Sequence, residues 1–304
     1  MRLLVTGASG LLGLNLALEA SHEHEVFGSV NRNEIRNAPF TVIQSDLTRP
    51  GSLEDLFEAS QPDWVINCAA LANLDACEAR PALAKKLNIE LPEKLAQYVA
   101  KGGARLVHIS TDAVFDGKGG EYTEMDKPNP LGTYARTKLL GEEAVSAANP
   151  QAIVARVNLF GWSLSGQRSL AEWFLNNLAA QNQISGFTDV YFCPLLVNDL
   201  ANLLLEMLGQ GLQGLYHVVA RDCASKYDFG VQLARLFGYD QSLIKPTSIS
   251  DADFAAARSL MLTLKSDKLA RELGESPPDL QTCLERFHQQ YLSGYPEFIQ
   301  KMRV

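Results

Sequence analysis

The chain has 304 residues, of which 46% are hydrophobic, and a formal net charge of −8. This length and composition are typical of a globular protein with one domain or two closely joined domains. The acidic balance, without clustered Lys and Arg, argues against a nucleic-acid partner. The sequence also lacks an apolar run near the ~20 residues that a membrane-spanning helix needs.

The five cysteines are scattered and show no CxxC spacing. An odd number in this pattern predicts free thiols in a reducing cytoplasm, with neither a disulfide framework nor a metal site. We therefore expect a cytoplasmic protein. The residues concerned are Cys68, Cys77, Cys193, Cys223 and Cys283.

The first thirteen residues, MRLLVTGASGLLG, join a short apolar strand to a helix through three glycines. Gly7 would permit a tight turn, Gly10 would let a pyrophosphate approach the backbone, and Gly13 would let the helix lie close to the sheet. Because a helix N-terminus offers free N–H groups to phosphates, this motif predicts a dinucleotide site.

The end of the second predicted strand, Glu25–Val30, bears on the choice of cofactor. An NAD-specific site usually places Asp or Glu here, whereas an arginine can meet the additional 2′-phosphate of NADP. The sequence instead continues with Asn31, Arg32 and Asn33. This favours NADPH, although NADH stays possible if Arg32 is only a surface residue.

Further strands and helices alternate along the chain. After the third predicted strand, Asp46 could contact an adenine or could be a turn or cap residue. The alternation predicts an α/β fold with a doubly wound parallel sheet. The expected strands are 40–45, 64–67, 106–109 and 152–160, and the expected helices 52–59, 81–100 and 194–207.

The stretch from His108 to Glu142 carries the predicted chemistry. Ser110, Thr111 and Asp112 follow the central strand, and Tyr134 and Lys138 stand four residues apart on one helix face. A YxxxK pair alone occurs by chance in many helices. A neighbouring ammonium would stabilise the phenolate, so we expect a lowered pKa for Tyr134 and a role as proton donor.

Taken together, these motifs resemble the extended short-chain dehydrogenase/reductase family. TGASGLLG matches its cofactor loop, Asp46-Leu47 its adenine contact, and Asn67-Cys68-Ala69-Ala70 its N-A-A strand end. The resemblance implies a Rossmann domain over 1–160, with a return segment at about 194–210, and a mainly substrate-binding domain over 161–304. The implied cofactor-binding residues are Gly7, Ser9, Gly10, Leu11, Leu12, Gly13, Asn31, Arg32, Asp46, Leu47, Cys68, Ala69, Ala70, Leu71, Ser110, Tyr134 and Lys138.

The same resemblance assigns the active site. Thr111, Tyr134 and Lys138 fall on the catalytic Ser/Thr, Tyr and Lys, and Asn88 falls on the structural active-site asparagine. Lys138 would also hold the nicotinamide ribose, and Thr111 would bind the reacting oxygen. Asp112 would meet a sugar hydroxyl or serve as a cap, and Asn158 would lie at the substrate.

Within the family, STDAVFDG and YARTKLLGE resemble the dTDP-4-dehydrorhamnose reductase branch, which implies NADPH-dependent reduction of the 4-keto group of a nucleotide-linked deoxysugar. Ala113 replaces the branch's Tyr, Asn158 or Leu159 stands in place of a sugar-contacting Trp, and Arg258-Ser259 replaces an R-P pair. Trp162 and Trp173 could supply the missing stacking surface or could be core residues.

Other functions on this scaffold stay open. They are a sugar epimerase, another carbonyl reductase, and a non-catalytic NADP-binding regulatory subunit like that of methionine adenosyltransferase. A homodimer is also possible. A 4,6-dehydratase is disfavoured, because the Glu that would follow Thr111-Asp112 in such enzymes is Ala113 here.

Overall fold

The computed structural model describes residues 1–251 and 259–304, so Arg258 lies outside the described residues. In chain order the strands are β1 Arg2–Thr6, β2 Glu25–Val30, β3 Thr41–Gln44, β4 Trp64–Asn67, β5 Arg105–Thr111, β6 Ile153–Val157, β7 Leu159–Phe160, β8 Ile184–Phe187, β9 Tyr191–Phe192, β10 Leu195–Leu196, β11 Gly214–Val218, β12 Ala224–Ser225, β13 Ile244–Thr247 and β14 Met261–Leu262.

The helices lie between these strands and after them. They are α1 Leu11–Ala20, α2 Ser52–Ser60, α3 Leu74–Ala79, α4 Pro81–Lys85, α5 Leu91–Gly102, α6 Thr133–Ala148, α7 Leu170–Ala179, α8 Val197–Gln210, α9 Lys226–Leu236, α10 Asp267–Leu273, α11 Leu280–Leu292 and α12 Tyr295–Gln300.

A seven-stranded parallel sheet forms the centre of the molecule, in the order β11-β6-β5-β4-β1-β2-β3. Its middle strands are buried, as expected for a parallel sheet covered on both faces. The strand order reverses between β1 and β4, and ligands of such sheets bind in the crevice at this switch point. The predicted doubly wound Rossmann fold is confirmed.

Helices cover both faces of this sheet. On one face α1 packs against α8, in the larger apolar cluster that includes Leu14 and Leu204. On the other face α2, α5 and α6 contribute Leu56, Val99 and Val145 to a second cluster. Both layers fix the carboxyl ends of the strands, where the predicted site residues lie.

The single helix expected over 81–100 contains a π-helical turn, Lys86–Glu90, between α4 and α5. Such a turn places one extra residue in the helix and is common at functional sites. Asn88 lies in this turn and is fully buried. Asn88, which is unfavourable in the interior of an α-helix, therefore lies where the helix becomes π-helical.

After β6 the chain returns to the Rossmann sheet through α8 and β11. Helix α8 begins at Val197, not at Pro194 as expected, because Leu195–Leu196 instead form β10 and pair with β7. After α8, strand β11 extends the central sheet beside β6. Small sheets made by β12-β9-β14 and β13-β8 complete the C-terminal region.

The expectation of five free thiols was wrong. Cys193 and Cys223 form a disulfide, while Cys68, Cys77 and Cys283 are free. The antiparallel pairing of β9 with β12 brings the two residues together across 30 positions of sequence. Two-residue strands leave no periodic signal, so the cysteine spacing could not reveal this pairing.

We expect thiol titration of the denatured, unreduced protein to find three reactive thiols. A count of five would contradict the disulfide. In the Cys193→Ser variant, Cys223 has no partner, so we expect four reactive thiols. In the parent, prior reduction should raise the count to five, which provides the control.

No helix among the described residues is long and apolar enough to cross a membrane. The same part of the chain also contains no group of three or more His, Cys, Asp or Glu side chains placed to hold a metal ion.

Candidate active site

Two cavities meet at the carboxyl ends of the central strands. One, of about 430 Å³, runs along the glycine loop and the ends of β4, β5 and β6. The other, of about 770 Å³, lies between the Rossmann sheet and the C-terminal region. Their shared wall marks the place where two bound molecules would meet. It consists of Ala72, Thr111, Asp112, Tyr134, Asn158 and Leu159.

The glycine loop forms the floor of the smaller cavity. Gly7 has a φ of +68°, and a Cβ added there would lie 2.9 Å from the Ala69 backbone nitrogen. A Cβ on Gly13 would lie 2.3 Å from the carbonyl oxygen of Gly7. No side chain caps the N-terminus of α1, where Gly10 is the N-cap, and Gly10, Leu11, Leu12 and Gly13 line the cavity. This geometry fits a dinucleotide pyrophosphate.

A buried hydrogen-bond network fixes the end of β4 beside this loop. The Thr6 hydroxyl donates to Asn67 Oδ1 at 2.6 Å and accepts from the Ala69 N–H at 3.3 Å. Asn67 Nδ2 lies 3.1 Å from Nδ1 of His108, whose pKa burial holds well below its usual range. A neutral His108 can accept from Asn67, so the network sets the path of Cys68 and Ala70 along the cavity.

Tyr134 and Thr111 lie close together in the shared wall, where the Thr111 hydroxyl acts on the pKa of the Tyr134 phenol. The Thr111 hydroxyl also donates to Asp112 Oδ1 at 3.0 Å, and the Asn158 amide donates to Asp112 Oδ2. All four side chains line both cavities. The structure therefore brings together Thr111 and Tyr134, which the sequence analysis assigned to catalysis, with Asp112 and Asn158, which it assigned to the substrate.

The start of α6 is held from outside the helix, which fixes the direction of Tyr134. Glu78 on α3 accepts from the Thr133 N–H at 2.7 Å and from the Thr133 hydroxyl at 2.7 Å. A carboxylate at a helix N-terminus also interacts favourably with the helix dipole.

Lys138 lies one turn after Tyr134, buried, with Nζ donating to the Ile109 carbonyl at 2.6 Å. Burial lowers the pKa of Lys138 to about 8, and the nearby Glu142 carboxylate partly opposes this shift. At neutral pH the side chain therefore carries its positive charge in most molecules.

The expected lowering of the Tyr134 pKa was wrong for this structure. Burial raises the pKa of Tyr134 to about 12, the Asp112 carboxylate adds to the rise, and the hydrogen bond from Thr111 opposes it. The ammonium of Lys138 instead interacts with Ile109, Glu142 and Cys68. The phenol is therefore fully protonated at neutral pH, as a proton donor must be.

Asn88 does not line either cavity. Its amide donates to the Thr137 hydroxyl at 3.0 Å and to the Leu71 carbonyl at 3.1 Å, and its Oδ1 accepts from the Leu71 N–H at 2.9 Å. Asn88 thus ties the loop after β4 to the helix that carries Tyr134 and Lys138.

Several expected cofactor residues do not line the smaller cavity. Asp46 Oδ1 accepts from the N–H and hydroxyl of Thr48, which is the turn geometry left open as an alternative. Leu47 packs into apolar clusters under the sheet. Six further residues expected to bind the cofactor do not line this cavity: Gly7, Ser9, Asn31, Arg32, Ala69 and Leu71.

The tryptophans do not supply a stacking surface for a substrate. Trp162 is buried and stacks on Phe287 with ring centroids 4.0 Å apart. Trp173 is 42% exposed and lines neither cavity. Aromatic walls of the larger cavity come instead from Tyr191 and Phe192 on the short strand β9.

The sequence analysis missed a buried ion pair behind α6. The Glu142 carboxylate accepts hydrogen bonds from Nη2 of Arg156 at 2.7 Å and from Nε of Arg156 at 3.0 Å. It also accepts one from the Ser110 hydroxyl. Glu142 follows Lys138 by four residues, on the same helix face. The spacing YxxxKxxxE could have predicted that Glu142 lies near the site. Arg168 lines the smaller cavity and Lys226 the larger one, but no sequence motif marks either residue.

The comparisons with known proteins agree with this geometry. The family model described as "RmlD substrate binding domain" matches residues 1–293. The chain belongs to this family. The extended reductase resemblance is thereby confirmed for nearly the whole chain.

Individual relatives match over most of their length. A probable low-salt glycan biosynthesis reductase from Haloferax volcanii is 34% identical over 92% of this chain and 95% of that protein. A dTDP-4-dehydrorhamnose reductase from Mycobacterium tuberculosis is 34% identical over 88% of this chain and 86% of its own length. The methionine adenosyltransferase 2 subunit beta of Rattus norvegicus is 30% identical over 82% of this chain and 76% of that protein.

Among solved structures, the dTDP-4-dehydrorhamnose reductase of Bacillus anthracis in complex with NADP superposes with a TM-score of 0.84. It is 25% identical, and the match covers 95% of this chain and 99% of that one.

Proposed function

We propose that this protein reduces the 4-keto group of a nucleotide-linked 6-deoxyhexose to a hydroxyl, using NADPH. The observation that carries the proposal is that Thr111 and Tyr134 share the wall between the two cavities, with Lys138 one helical turn after Tyr134. The reductases among the relatives support the same reaction.

The smaller cavity suits the cofactor, which when bound supplies the hydride. The N–H groups at Leu11–Gly13 would hold its pyrophosphate, and Lys138 would donate to the nicotinamide ribose. Arg32, on the exposed segment after β2, lies where a 2′-phosphate would approach. The solved NADP complex of a relative supports this choice of cofactor.

Tyr134 would donate its proton to the oxygen that becomes the new hydroxyl. Its pKa of about 12 keeps the phenol protonated at neutral pH. Thr111 would share a hydrogen bond with the reacting oxygen, and the Lys138 charge would stabilise the phenolate as it forms. Asp112 and Asn158, already bonded to each other, would bind a sugar hydroxyl.

The larger cavity suits the nucleotide sugar. Arg136 and Lys226 place positive charge along its walls for a diphosphate, and Tyr191 and Phe192 offer aromatic surface. Ala113 lines the same cavity and cannot transfer a proton, so elimination of water lacks the second acid–base group. These features support reduction over dehydration.

The test is incubation with NADPH and a panel of nucleotide-linked 4-keto-6-deoxyhexoses, with products analysed by mass. We expect net NADPH consumption and a gain of two hydrogens in the sugar. Loss of one water from a nucleotide hexose would instead identify a dehydratase, and an isomer formed without net cofactor use would identify an epimerase.

A regulatory role is the second candidate, supported by the relative named as a methionine adenosyltransferase subunit. It predicts NADPH binding without turnover on every member of the panel.

A cytoplasmic location and a homodimer complete the proposal, and sedimentation of the purified protein would test the dimer.

The pKa of Lys138 predicts how cofactor binding depends on pH. Because this pKa is about 8, the ammonium is present below that pH and is lost above it. We therefore expect the affinity for NADPH, measured by fluorescence titration, to fall as the pH rises through about 8. The Lys138→Ala variant should bind more weakly and show no such step; an identical step in the variant would assign it to another group.

A further inference from the structure

A third cavity, of about 270 Å³, lies beside the segment that follows β2. Its lining brings together three arginines that are far apart in sequence, Arg32, Arg168 and Arg303. All three are exposed. Among the described lining residues, Glu34 is the one acidic side chain. The cavity therefore has a net positive lining and opens to solvent.

This cavity adjoins the cofactor cavity. Arg168 lines both, and in the cofactor cavity it accompanies Gly10–Gly13 at the N-terminus of α1. In a Rossmann fold the pyrophosphate lies at that N-terminus and the adenine ribose lies toward the end of β2. The arginine cavity is thus placed where the ribose would carry a 2′-phosphate.

The fold holds the two additional arginines by their backbones. The Arg36 N–H donates to the Met302 carbonyl at 2.9 Å, and Ile35 pairs with Arg303 in an antiparallel bridge. Ile35 and Met302 are buried, which anchors this contact. The Arg168 N–H donates to the buried Glu172 at 2.9 Å. The C-terminal segment and the loop before α7 therefore act as fixed walls.

The three guanidinium groups are available to a ligand. Within 1–251 and 259–304, none of them forms an ion pair with a carboxylate. A guanidinium presents several N–H donors in a planar fork that matches the oxygens of a phosphate monoester. Resting on the proposed use of NADPH, we propose that Arg303 and Arg168 complete, with Arg32, the site for the 2′-phosphate of the adenine ribose.

The two residues then differ in role. Arg303 lines the arginine cavity alone and determines specificity for the 2′-phosphate. Arg168 also borders the cofactor cavity, so it contributes to binding of the pyrophosphate as well. Removing Arg303 should therefore affect only ligands that carry a 2′-phosphate, whereas removing Arg168 should affect all adenine dinucleotides.

The test is calorimetric titration of the full chain with 2′,5′-ADP and with 5′-ADP, which differ in the 2′-phosphate. For Arg303→Gln we expect roughly tenfold weaker binding of 2′,5′-ADP and little change for 5′-ADP, since one charge-assisted hydrogen-bond partner is lost. Arg168→Gln should weaken both. Arg303→Lys keeps the positive charge but loses the planar guanidinium. Its affinity for 2′,5′-ADP should lie between those of the parent and Arg303→Gln.

Two exposed cations on the same segments serve as matched controls. Arg36→Gln and Lys301→Gln change charge equally but lie outside the cavity lining, so both should bind like the parent. An unchanged ratio of the two affinities in Arg303→Gln, or failure of the parent to favour 2′,5′-ADP, would overturn the proposal. Because no sugar is present, this result is independent of whether the protein reduces a nucleotide sugar.

Discussion

Replacing Tyr134 by Phe is expected to lower turnover on a 4-keto sugar by roughly 10²–10⁴-fold, the contribution of one general acid. Cofactor affinity should stay nearly unchanged, because the phenol acts on the proton alone. The substitution removes one oxygen from a half-buried ring. Steady-state rates and fluorescence titration of NADPH would separate the two effects.

The control is Tyr98→Phe, because Tyr98 on α5 is also partly buried, but its hydroxyl donates to Glu54 rather than to any site residue. It should retain the parent rate. Lys138→Ala should lose both turnover and cofactor affinity. One general acid contributes more than about tenfold to the rate. Turnover of Tyr134→Phe within about tenfold of the parent would therefore refute the proton-donor assignment.

The second large effect concerns stability. Glu142→Ala should lower the free energy of unfolding by about 3–5 kcal/mol, because it leaves the buried Arg156 guanidinium without its carboxylate partner. The pair is almost fully enclosed, with side chains 7% and 3% exposed for Glu142 and Arg156. The Ser110 hydroxyl would lose its acceptor at the same time. Urea unfolding of the variant and the parent would measure the difference.

Glu143→Ala is the matched control, since it removes a neighbouring but exposed carboxylate from the same helix. It should change stability by less than about 0.5 kcal/mol. The double variant Glu142→Leu with Arg156→Met should recover much of the loss, because no charge is left unpaired. A Glu142→Ala variant as stable as Glu143→Ala would show that the ion pair contributes little.

Local patterns predicted the parts of the site that short stretches of chain determine. The strands Glu25–Val30 and Trp64–Asn67 have the predicted limits, and the glycine loop joins β1 to α1 as expected. Tyr134 and Lys138 lie one turn apart on α6 because helix periodicity depends on neighbours in sequence.

The errors arose where distant segments meet. Leu195–Leu196 pair with β7 instead of starting a helix, and Cys193 meets Cys223 across paired strands. The direction of the Tyr134 pKa shift depends on burial and on Asp112, not on the helical spacing to Lys138. Arg168 and Arg303 reach the proposed 2′-phosphate site beside Arg32 only through tertiary contacts.

The most direct measurement follows the transferred hydrogen. The protein would be incubated with a nucleotide-linked 4-keto-6-deoxyhexose and NADPH that carries deuterium at the transferable position. We predict a product with one deuterium on the former carbonyl carbon and one hydrogen from solvent on its oxygen. A product without deuterium, a product that has lost water, or NADPH binding without any product would contradict the proposed reduction.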